Sequence, residues 1–220
     1  MPASMRPQTP QDVFTRVAPR YDLVNEVMSL GWVHHWRAAA LAPFRPGDRL
    51  LKIGAGTGAN LVRRTGAPGL TVGVDLNAAM LEVAAGRVPA TPLLRAEVER
   101  LPLRPACVDG VLVCFALFDM VGDDLASGLA HLRRPLVRGG RCSVVELALP
   151  AVPGLARALG PVARVSGRVT RTRIDHLVEE ATTTPPLATV AGALATAGFT
   201  DVRTRRLAPG VAVRWTGVAA

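Results

Sequence analysis

The chain has 220 residues, 49% of them hydrophobic, so it can bury one sizeable core, and a single α/β domain is expected over two small ones. Its formal net charge is +9, but the basic residues are spread along the chain without interleaved aromatics, which disfavours nucleic-acid binding. The amino terminus lacks a secretory signal and no apolar run reaches the roughly 20 residues of a membrane span, so we expect a cytoplasmic protein, with peripheral membrane contact as an open alternative.

The amino-terminal part of the sequence predicts a tail followed by helices. Residues 1–10 contain three prolines and little to bury, which predicts a mobile tail. Apolar residues spaced by three and four over residues 12–42 predict two or three short helices. These helices precede a glycine-rich loop, so we expect them to fold over it as a lid. Core packing is the alternative role for Trp32 and Trp36.

Strands and helices alternate through the middle of the chain. Apolar runs predict five strands, and capping residues and turn signals separate them by helices. Strands separated by helices of this length predict a parallel, doubly wound sheet. We expect the strands at residues 49–53, 70–76, 92–96, 110–116 and 141–148, the helices at 59–65, 77–86 and 123–136, and a turn at 138–140.

The pattern weakens after the fifth strand and then resumes. Residues 152–169 hold two prolines and three glycines and predict an irregular or broken helix. A helix at residues 187–197 is expected to end at Gly198, because glycine is favoured just after a helix. Two final strands, at residues 202–207 and 210–216, predict an antiparallel pair that closes the sheet.

The glycine-rich loop after the first strand is the main chemical motif. Gly54, Gly56 and Gly58 lack Cβ atoms, which permits a sharp turn and lets a ligand approach the backbone N–H groups. Asp75 ends the next strand about 20 residues further on, where a carboxylate can accept both hydroxyls of a ribose. Both features suit a dinucleotide, through its pyrophosphate, and S-adenosylmethionine, through its methionine carboxylate.

Two further features favour S-adenosylmethionine over a dinucleotide. Glu97 lies just past the third strand, where a methyltransferase places an acid and the following backbone N–H group against the adenine edge. A long helical segment precedes the glycine loop, whereas a dehydrogenase normally begins at its glycine strand. The sequence therefore predicts an S-adenosylmethionine-dependent methyltransferase.

Three segments resemble the ubiquinone/menaquinone biosynthesis C-methyltransferases. Residues 13–37, with the run APRYDLVNEVMSLG and a closing Trp-Arg pair, are similar to the amino-terminal signature of that family. Residues 134–146 resemble its second signature, and residues 207–213 resemble its closing strand. The resemblance implies a class I methyltransferase fold, with a doubly wound, mostly parallel seven-stranded sheet under a helical cover. Its expected parts are a helical lid at 11–42, a cofactor-binding half at 43–148, and substrate-side helices and closing strands at 149–220.

The resemblance also implies which residues hold the cofactor. Thr57 would contact it from the glycine loop, and Asp75 would bind its ribose. Glu97 and the Val98 backbone would hold its adenine. The complete expected set, in which Tyr21 closes over the methionine end and Cys114 lines the pocket, is Tyr21, Lys52, Gly54, Ala55, Gly56, Thr57, Gly58, Asp75, Leu76, Glu97, Val98 and Cys114.

Lys52 is the clearest departure from the family pattern. It is the one lysine of the chain, and it stands where family members have an acid near the methionine amino group. An added ammonium should weaken binding of a cationic cofactor unless Glu146 or another carboxylate pairs with it. Lys52 therefore leaves a further hypothesis open, a non-methylating protein of the same fold. Such a protein would use the cofactor as a structural or electrostatic element, or would act as a binding module.

Methylation of a ring carbon requires a deprotonated phenol, so a carboxylate or imidazole must act as base. Asp119, His176 and then His34 or His35 are the candidates. Their alternative roles are a helix cap for Asp119, a surface residue for His176, and a solvated lid face for His34 and His35. Residues 116–119 depart from the family's Gly-Leu-Arg-Asn segment, so we expect an aromatic, quinol or polyketide-like acceptor, methylated at carbon or oxygen. Demethylmenaquinone-type C-methylation is the alternative.

Overall fold

The computed structural model describes residues 9–120, 124–148 and 186–220. Several predictions lie outside these ranges: nearly all of the amino-terminal tail, the irregular helix at 152–169, the catalytic candidate His176, and Asp123 at the start of a predicted helix.

Helices and strands alternate along the chain, as the sequence predicts, and in the described ranges none of the helices has the length and hydropathy of a membrane span. The helices are α1 (Pro10–Val17), α2 (Tyr21–Met28), α3 (Trp32–Leu41), α4 (Ala59–Val62), α5 (Ala78–Arg87), α6 (Leu117–Met120), α7 (Leu125–Arg133) and α8 (Leu187–Thr196). The strands are β1 (Leu50–Ile53), β2 (Thr71–Asp75), β3 (Leu93–Arg95), β4 (Val108–Cys114), β5 (Leu136–Leu147), β6 (Phe199–Leu207) and β7 (Ala212–Ala219).

In the described residues, seven strands form one sheet in the order β3-β2-β1-β4-β5-β7-β6. The pairs from β3 to β5 are parallel, whereas β7 is antiparallel to both β5 and β6. The chain runs outward from β1 to β3 and then returns to place β4 on the other side of β1. This reversal opens a crevice at the carboxyl ends of β1 and β4, the usual ligand site of such sheets. The predicted fold is confirmed.

The central strands bury both of their faces. Val111 and Val113 of β4 pack in one apolar cluster with Trp215, whereas Leu112 packs in another with Trp36. Strands covered on both sides read as continuous apolar runs, which is why β4 was recognisable from the sequence. The indole N–H of Trp36 also donates to the carbonyl of Ala208 at 2.6 Å. Core packing is therefore confirmed for Trp36 and wrong for Trp32, which is 38% exposed.

Several predicted boundaries are wrong. The last two strands are displaced, since β6 begins at Phe199 rather than residue 202 and β7 ends at Ala219 rather than residue 216. The helix after the glycine loop, α4, has only four residues. The helix predicted to reach residue 136 ends at Arg133, because Leu136 already belongs to β5. The turn predicted at residues 138–140 is an irregularity within β5, where Gly139 has φ +78° and the pairing with β4 shifts register.

Candidate functional site

A groove with a volume of about 270 Å³ lies at the carboxyl ends of β1, β2 and β4. The glycine loop and the start of α6 form part of its wall, and Gln11, Phe14 and Tyr21 reach it from α1 and α2. The groove brings together every predicted cofactor residue except Lys52 and Gly58. Those that line it are Tyr21, Gly54, Ala55, Gly56, Thr57, Asp75, Leu76, Glu97, Val98 and Cys114.

The three glycines of the loop have positive φ angles, of +62°, +53° and +80°, but different surroundings. A Cβ on Gly54 would lie 2.4 Å from the Cβ of Ala116, so Gly54 permits close packing against the chain after β4. A Cβ on Gly58 would lie 3.2 Å from that of Ala84, so Gly58 lets the loop pack on α5. A Cβ on Gly56 would meet no atom within 4 Å. Gly56 therefore leaves the backbone open to a ligand in the groove.

Replacing Gly54 by alanine is expected to destabilise the protein by about 1–2 kcal/mol, since the left-handed backbone is strained for alanine and the new methyl overlaps Ala116. Adding the second substitution Ala116→Gly should restore the stability lost through the overlap. It should not restore the stability lost through the positive φ angle of residue 54. Denaturant unfolding measures both. Gly86→Ala, in open space within α5, is the control and should stabilise slightly. Equal stability of Gly54→Ala and the wild type would contradict the close packing.

Asp75 braces the loop and faces the groove. Its Oδ2 accepts the Gly56 N–H at 2.7 Å, and its Oδ1 accepts the Asn77 N–H at 2.9 Å. Each carboxylate oxygen has a second lone pair, so both can still accept a ligand hydroxyl. Asp75 is thus placed to bind a diol at the carboxyl end of β2.

The charge of the groove is opposite to that of the whole chain. Among the described residues that line it, Asp75, Glu97, Glu99 and Asp119 are acids, and Arg37 is the basic residue. In a chain of formal charge +9, this acidic lining favours a cationic ligand. S-adenosylmethionine carries a sulfonium, so the lining fits this cofactor.

Asp22 ties the amino-terminal helices to the glycine loop. Its Oδ2 accepts the Thr57 hydroxyl at 2.8 Å and an N–H of Arg87, and its Oδ1 accepts from Arg37 at 3.0 Å. These contacts join α2, the loop, α3 and α5. Asp22, Arg37 and Arg87 are site residues that the sequence did not predict. The signals available were the position of Asp22 next to Tyr21 in the amino-terminal signature and the Trp-Arg pair that closes it.

Asn77 makes a second connection between the sheet and the amino-terminal helices α1, α2 and α3, here called the cover. Its Oδ1 caps α5 by accepting the Met80 N–H at 3.1 Å, as the sequence predicts. Its Nδ2 donates to the carbonyl of Gln11 at 3.0 Å and to the Thr15 hydroxyl at 2.9 Å, both on α1. Asn77 thus fixes α1 beside the groove, whose lining includes Gln11 and Phe14 of this helix.

A buried acid, Glu146, lies behind the chain segment that follows β4. Glu146 accepts the N–H groups of Ala116 and Leu117 at 2.7 and 2.6 Å and so holds the start of α6. Burial, assisted by the charge of nearby Asp119, raises the pKa of Glu146 to about 8. Burial also raises the pKa of Cys114 to about 11, which keeps this groove-lining thiol neutral at neutral pH.

Of the catalytic candidates within the described ranges, Asp119 is the one that lines the groove. It lies on α6, and its charge reaches both Tyr21 and Glu146, where it acts with burial to raise the pKa of each. Asp119 is thus a carboxylate in reach of a molecule held between the cover and β4.

His34 and His35 lie outside the groove lining. Both are exposed on α3, where Val33 and Trp36 form the buried face, and His34 is bonded to Glu26. A helix that buries the residues flanking the pair must turn the pair towards solvent. The structure thus supports the solvated-face alternative for His34 and His35 and does not bring them to the groove.

Lys52 is buried beneath the glycine loop. Its Nζ donates to the carbonyl of Ile53 at 2.7 Å and to that of Gly54 at 2.6 Å. The carboxylate pairing with Glu146 that the sequence analysis considered does not form, because the Glu146 carboxylate binds backbone N–H groups instead. Lys52 lies behind the groove wall and does not line the groove.

Comparisons with known proteins agree on one family and one fold. The model of the "ubiE/COQ5 methyltransferase family" matches residues 3–219. A ubiquinone/menaquinone biosynthesis C-methyltransferase UbiE of Acidiphilium cryptum is 35% identical, over 94% of this chain and 89% of its own length. A demethylmenaquinone methyltransferase of Mycolicibacterium vanbaalenii is 32% identical, over 93% and 92%. The crystal structure of a SAM-dependent methyltransferase from Thermotoga maritima has a TM-score of 0.69 at 20% identity and covers 94% of this chain and 98% of that chain.

Proposed function

The chain belongs to the ubiE/COQ5 methyltransferase family and is an S-adenosylmethionine-dependent methyltransferase, and we propose that its acceptor is a quinol-type aromatic ring, methylated at carbon. The acceptor rests on one observation: identities of 35% and 32% over 94% and 93% of the chain with relatives named for quinone methylation. Among the sequence-based predictions, demethylmenaquinone-type C-methylation is the alternative. The full-length similarity favours it over the broader aromatic or polyketide-like class.

The described residues fit the cofactor. Asp75 would accept the ribose hydroxyls, and Glu97 with the Val98 backbone would hold the adenine, since all three line the same groove. The glycine loop would approach the methionine end. When bound, S-adenosylmethionine supplies an electrophilic methyl group.

The residues around the acceptor would align it and exclude water. Phe14 and Tyr21 meet at a centroid distance of 6.2 Å on the cover side of the groove and would shield the reacting atoms. Asp119 would accept the proton of the quinol hydroxyl, so that electron density moves onto the adjacent ring carbon. After methyl transfer, that carbon loses its hydrogen as a proton and the ring regains aromaticity.

The surface of the cover supports an acceptor with a lipid tail. Leu23 and Val27 are exposed at a spacing of four on α2, and Leu30 and Trp32 extend the exposed apolar surface towards α3. A prenyl chain could lie along these side chains while the quinol head enters the groove. Contact with a membrane surface would follow from the same chemistry.

Anaerobic incubation with S-adenosylmethionine and a short-chain prenylated naphthoquinol is expected to yield the ring-methylated product, detected by mass spectrometry. The oxidised quinone is the matched control and should not react, because it has no hydroxyl to deprotonate. Asp119→Asn should lower turnover far more than cofactor affinity, which should stay within about threefold of the wild type because only one of the four groove acids is neutralised. Methylation of a soluble phenol without methylation of the prenylated quinol would contradict the proposed acceptor and favour the polyketide-like class.

A further inference from the structure

Lys52 places a basic group directly behind the groove. Its side chain is 1% exposed, and its hydrogen bonds go to the carbonyls of Ile53 and Gly54, two residues that line the groove. The amine is therefore separated from a bound ligand by a layer of backbone. The mechanism proposed above gives this group no task.

The hydrogen bonds of Lys52 suit a neutral amine as well as an ammonium. An ammonium has three N–H donors, whereas a neutral amine has two donors and a lone pair. Among the described residues, the two carbonyls are the acceptors of Lys52, and no carboxylate forms a salt bridge with it. Loss of the proton therefore leaves neither carbonyl without a donor and breaks no ion pair within the described ranges.

Titratable groups from four elements face Lys52: Asp75 from β2, Cys114 from β4, Glu146 from β5 and Arg37 from α3. Burial is the largest influence and lowers the pKa of Lys52 to about 8, while the three acidic groups act to raise it and Arg37 acts to lower it. Lys52 thus lies close to the balance between its charge states, where one more nearby positive charge can shift it.

We propose that Lys52 is a specificity-determining residue that senses the charge of the ligand in the groove. With Lys52 protonated, the site favours the uncharged thioether of S-adenosylhomocysteine, and binding of the sulfonium cofactor releases the Lys52 proton to solvent. The two ligands share their adenosine, amino and carboxyl groups and differ by one methyl group and one positive charge at sulfur. Like charges repel strongly in a poorly solvated site, so Lys52 acts on the cofactor more than on the product.

The coupling between proton and ligand is reciprocal. A ligand that lowers the proton affinity of Lys52 by a given factor is bound more weakly, by that same factor, when Lys52 is protonated than when it is neutral. Affinity for S-adenosylmethionine therefore rises with pH through the range in which Lys52 loses its proton, whereas affinity for S-adenosylhomocysteine changes little. This inference rests on the assignment of the groove to S-adenosylmethionine.

The single lysine of the chain allows a direct test in the wild-type protein. Lysine labelled at Cε with an NMR-active carbon isotope gives one lysine signal, whose chemical shift follows protonation of Nζ. Saturation with S-adenosylmethionine should lower the midpoint of its pH titration by about one pH unit, and S-adenosylhomocysteine should move it by less than about 0.3.

Calorimetry provides the reciprocal readout. Between about pH 6.5 and about pH 9, wild-type affinity for S-adenosylmethionine should rise about tenfold, and that for S-adenosylhomocysteine should change less than about threefold. The heat of cofactor binding should also depend on the ionisation enthalpy of the buffer, because a proton is released. Lys52→Met keeps a long, uncharged side chain at the buried position and should remove most of both effects, with only the share of Glu146 remaining.

The possible failures are distinguishable. Equal midpoint shifts with both ligands, or the full tenfold pH dependence retained in Lys52→Met, would overturn the charge-sensing role and leave cofactor binding intact. A smaller residual dependence belongs to Glu146, because its pKa of about 8 lies in the same range. If neither ligand changes the lysine signal or produces heat in either protein, the groove does not bind S-adenosylmethionine. Both the proposed function and the role of Lys52 are then wrong. Binding of S-adenosylmethionine that appears only in Lys52→Met at about pH 6.5, and in both proteins at about pH 9, would support the inference in its strongest form.

Discussion

Replacing Asp22 by alanine is expected to lower the free energy of unfolding by about 2–4 kcal/mol and to loosen the amino-terminal helices over the glycine loop. The substitution leaves the Arg37 side chain, only 8% exposed, without its ion-pair partner, and it removes the acceptor of the Thr57 hydroxyl. Asp22 itself is 27% exposed, which keeps the loss below that of a fully buried pair. Denaturant unfolding at neutral pH measures it.

The stability lost in Asp22→Ala should depend on pH. Burial acts to raise the pKa of Asp22, but hydrogen bonds from Arg87 and Thr57 and the charge of Arg37 outweigh it and hold the pKa below its ordinary value of 3.8. A carboxylate whose pKa is lowered by folding stabilises the protein fully above its unfolded value and progressively less as the pH falls through the folded value. The difference between wild type and Asp22→Ala should therefore be constant above pH 3.8 and shrink at more acid pH.

Glu26→Ala is the matched control on the same helix. Glu26 is an exposed acid bonded to His34, and loss of such a pair costs less than about 1 kcal/mol. Asp22→Asn, which can still accept from Thr57 but carries no charge, should fall between the two. If Asp22→Ala unfolds within about 0.5 kcal/mol of the wild type, the network does not hold the cover in place.

The sheet could be predicted from sequence because its signals are local. β1 and β4 are continuous apolar runs, Asn77 caps the helix after β2, and Gly198 follows the last helix. The wrong prediction of a turn within β5 also came from a local signal, because glycines are typical of turns. The strand continues through these glycines because its pairing with β4 resumes after a register shift.

The polar network could not be predicted in the same way. Asp22, Thr57 and Arg87 come from three separate segments, and no periodicity or spacing connects a carboxylate on one helix to a guanidinium 65 positions away. Lys52 shows a different limit. Its position at the end of β1 indicated closeness to the cofactor, but not that the long side chain would bond to the next two carbonyls.

Replacing Asp75 by alanine is expected to weaken binding of both S-adenosylmethionine and S-adenosylhomocysteine by at least about 100-fold. Under the proposed binding mode the carboxylate accepts two ribose hydroxyls, and hydrogen bonds to a charged group are worth about 1.5–3 kcal/mol each. The variant also leaves the Gly56 N–H without its acceptor, so the loop that approaches the ligand is no longer braced. Calorimetry with both ligands measures the loss.

Two further variants separate the roles of Asp75. Asp75→Asn can still accept the Gly56 N–H but lacks the charge, so it should lose about tenfold in affinity, less than the alanine variant. Glu99→Gln changes another acid of the groove lining that has no assigned ligand contact, and it should bind both ligands within about threefold of the wild type. Binding by Asp75→Ala within the same threefold range, with unchanged thermal unfolding, would show that the ribose lies elsewhere. Since both ligands carry the same ribose, Asp75→Ala should weaken both, whereas Lys52→Met should change mainly the binding of the charged cofactor.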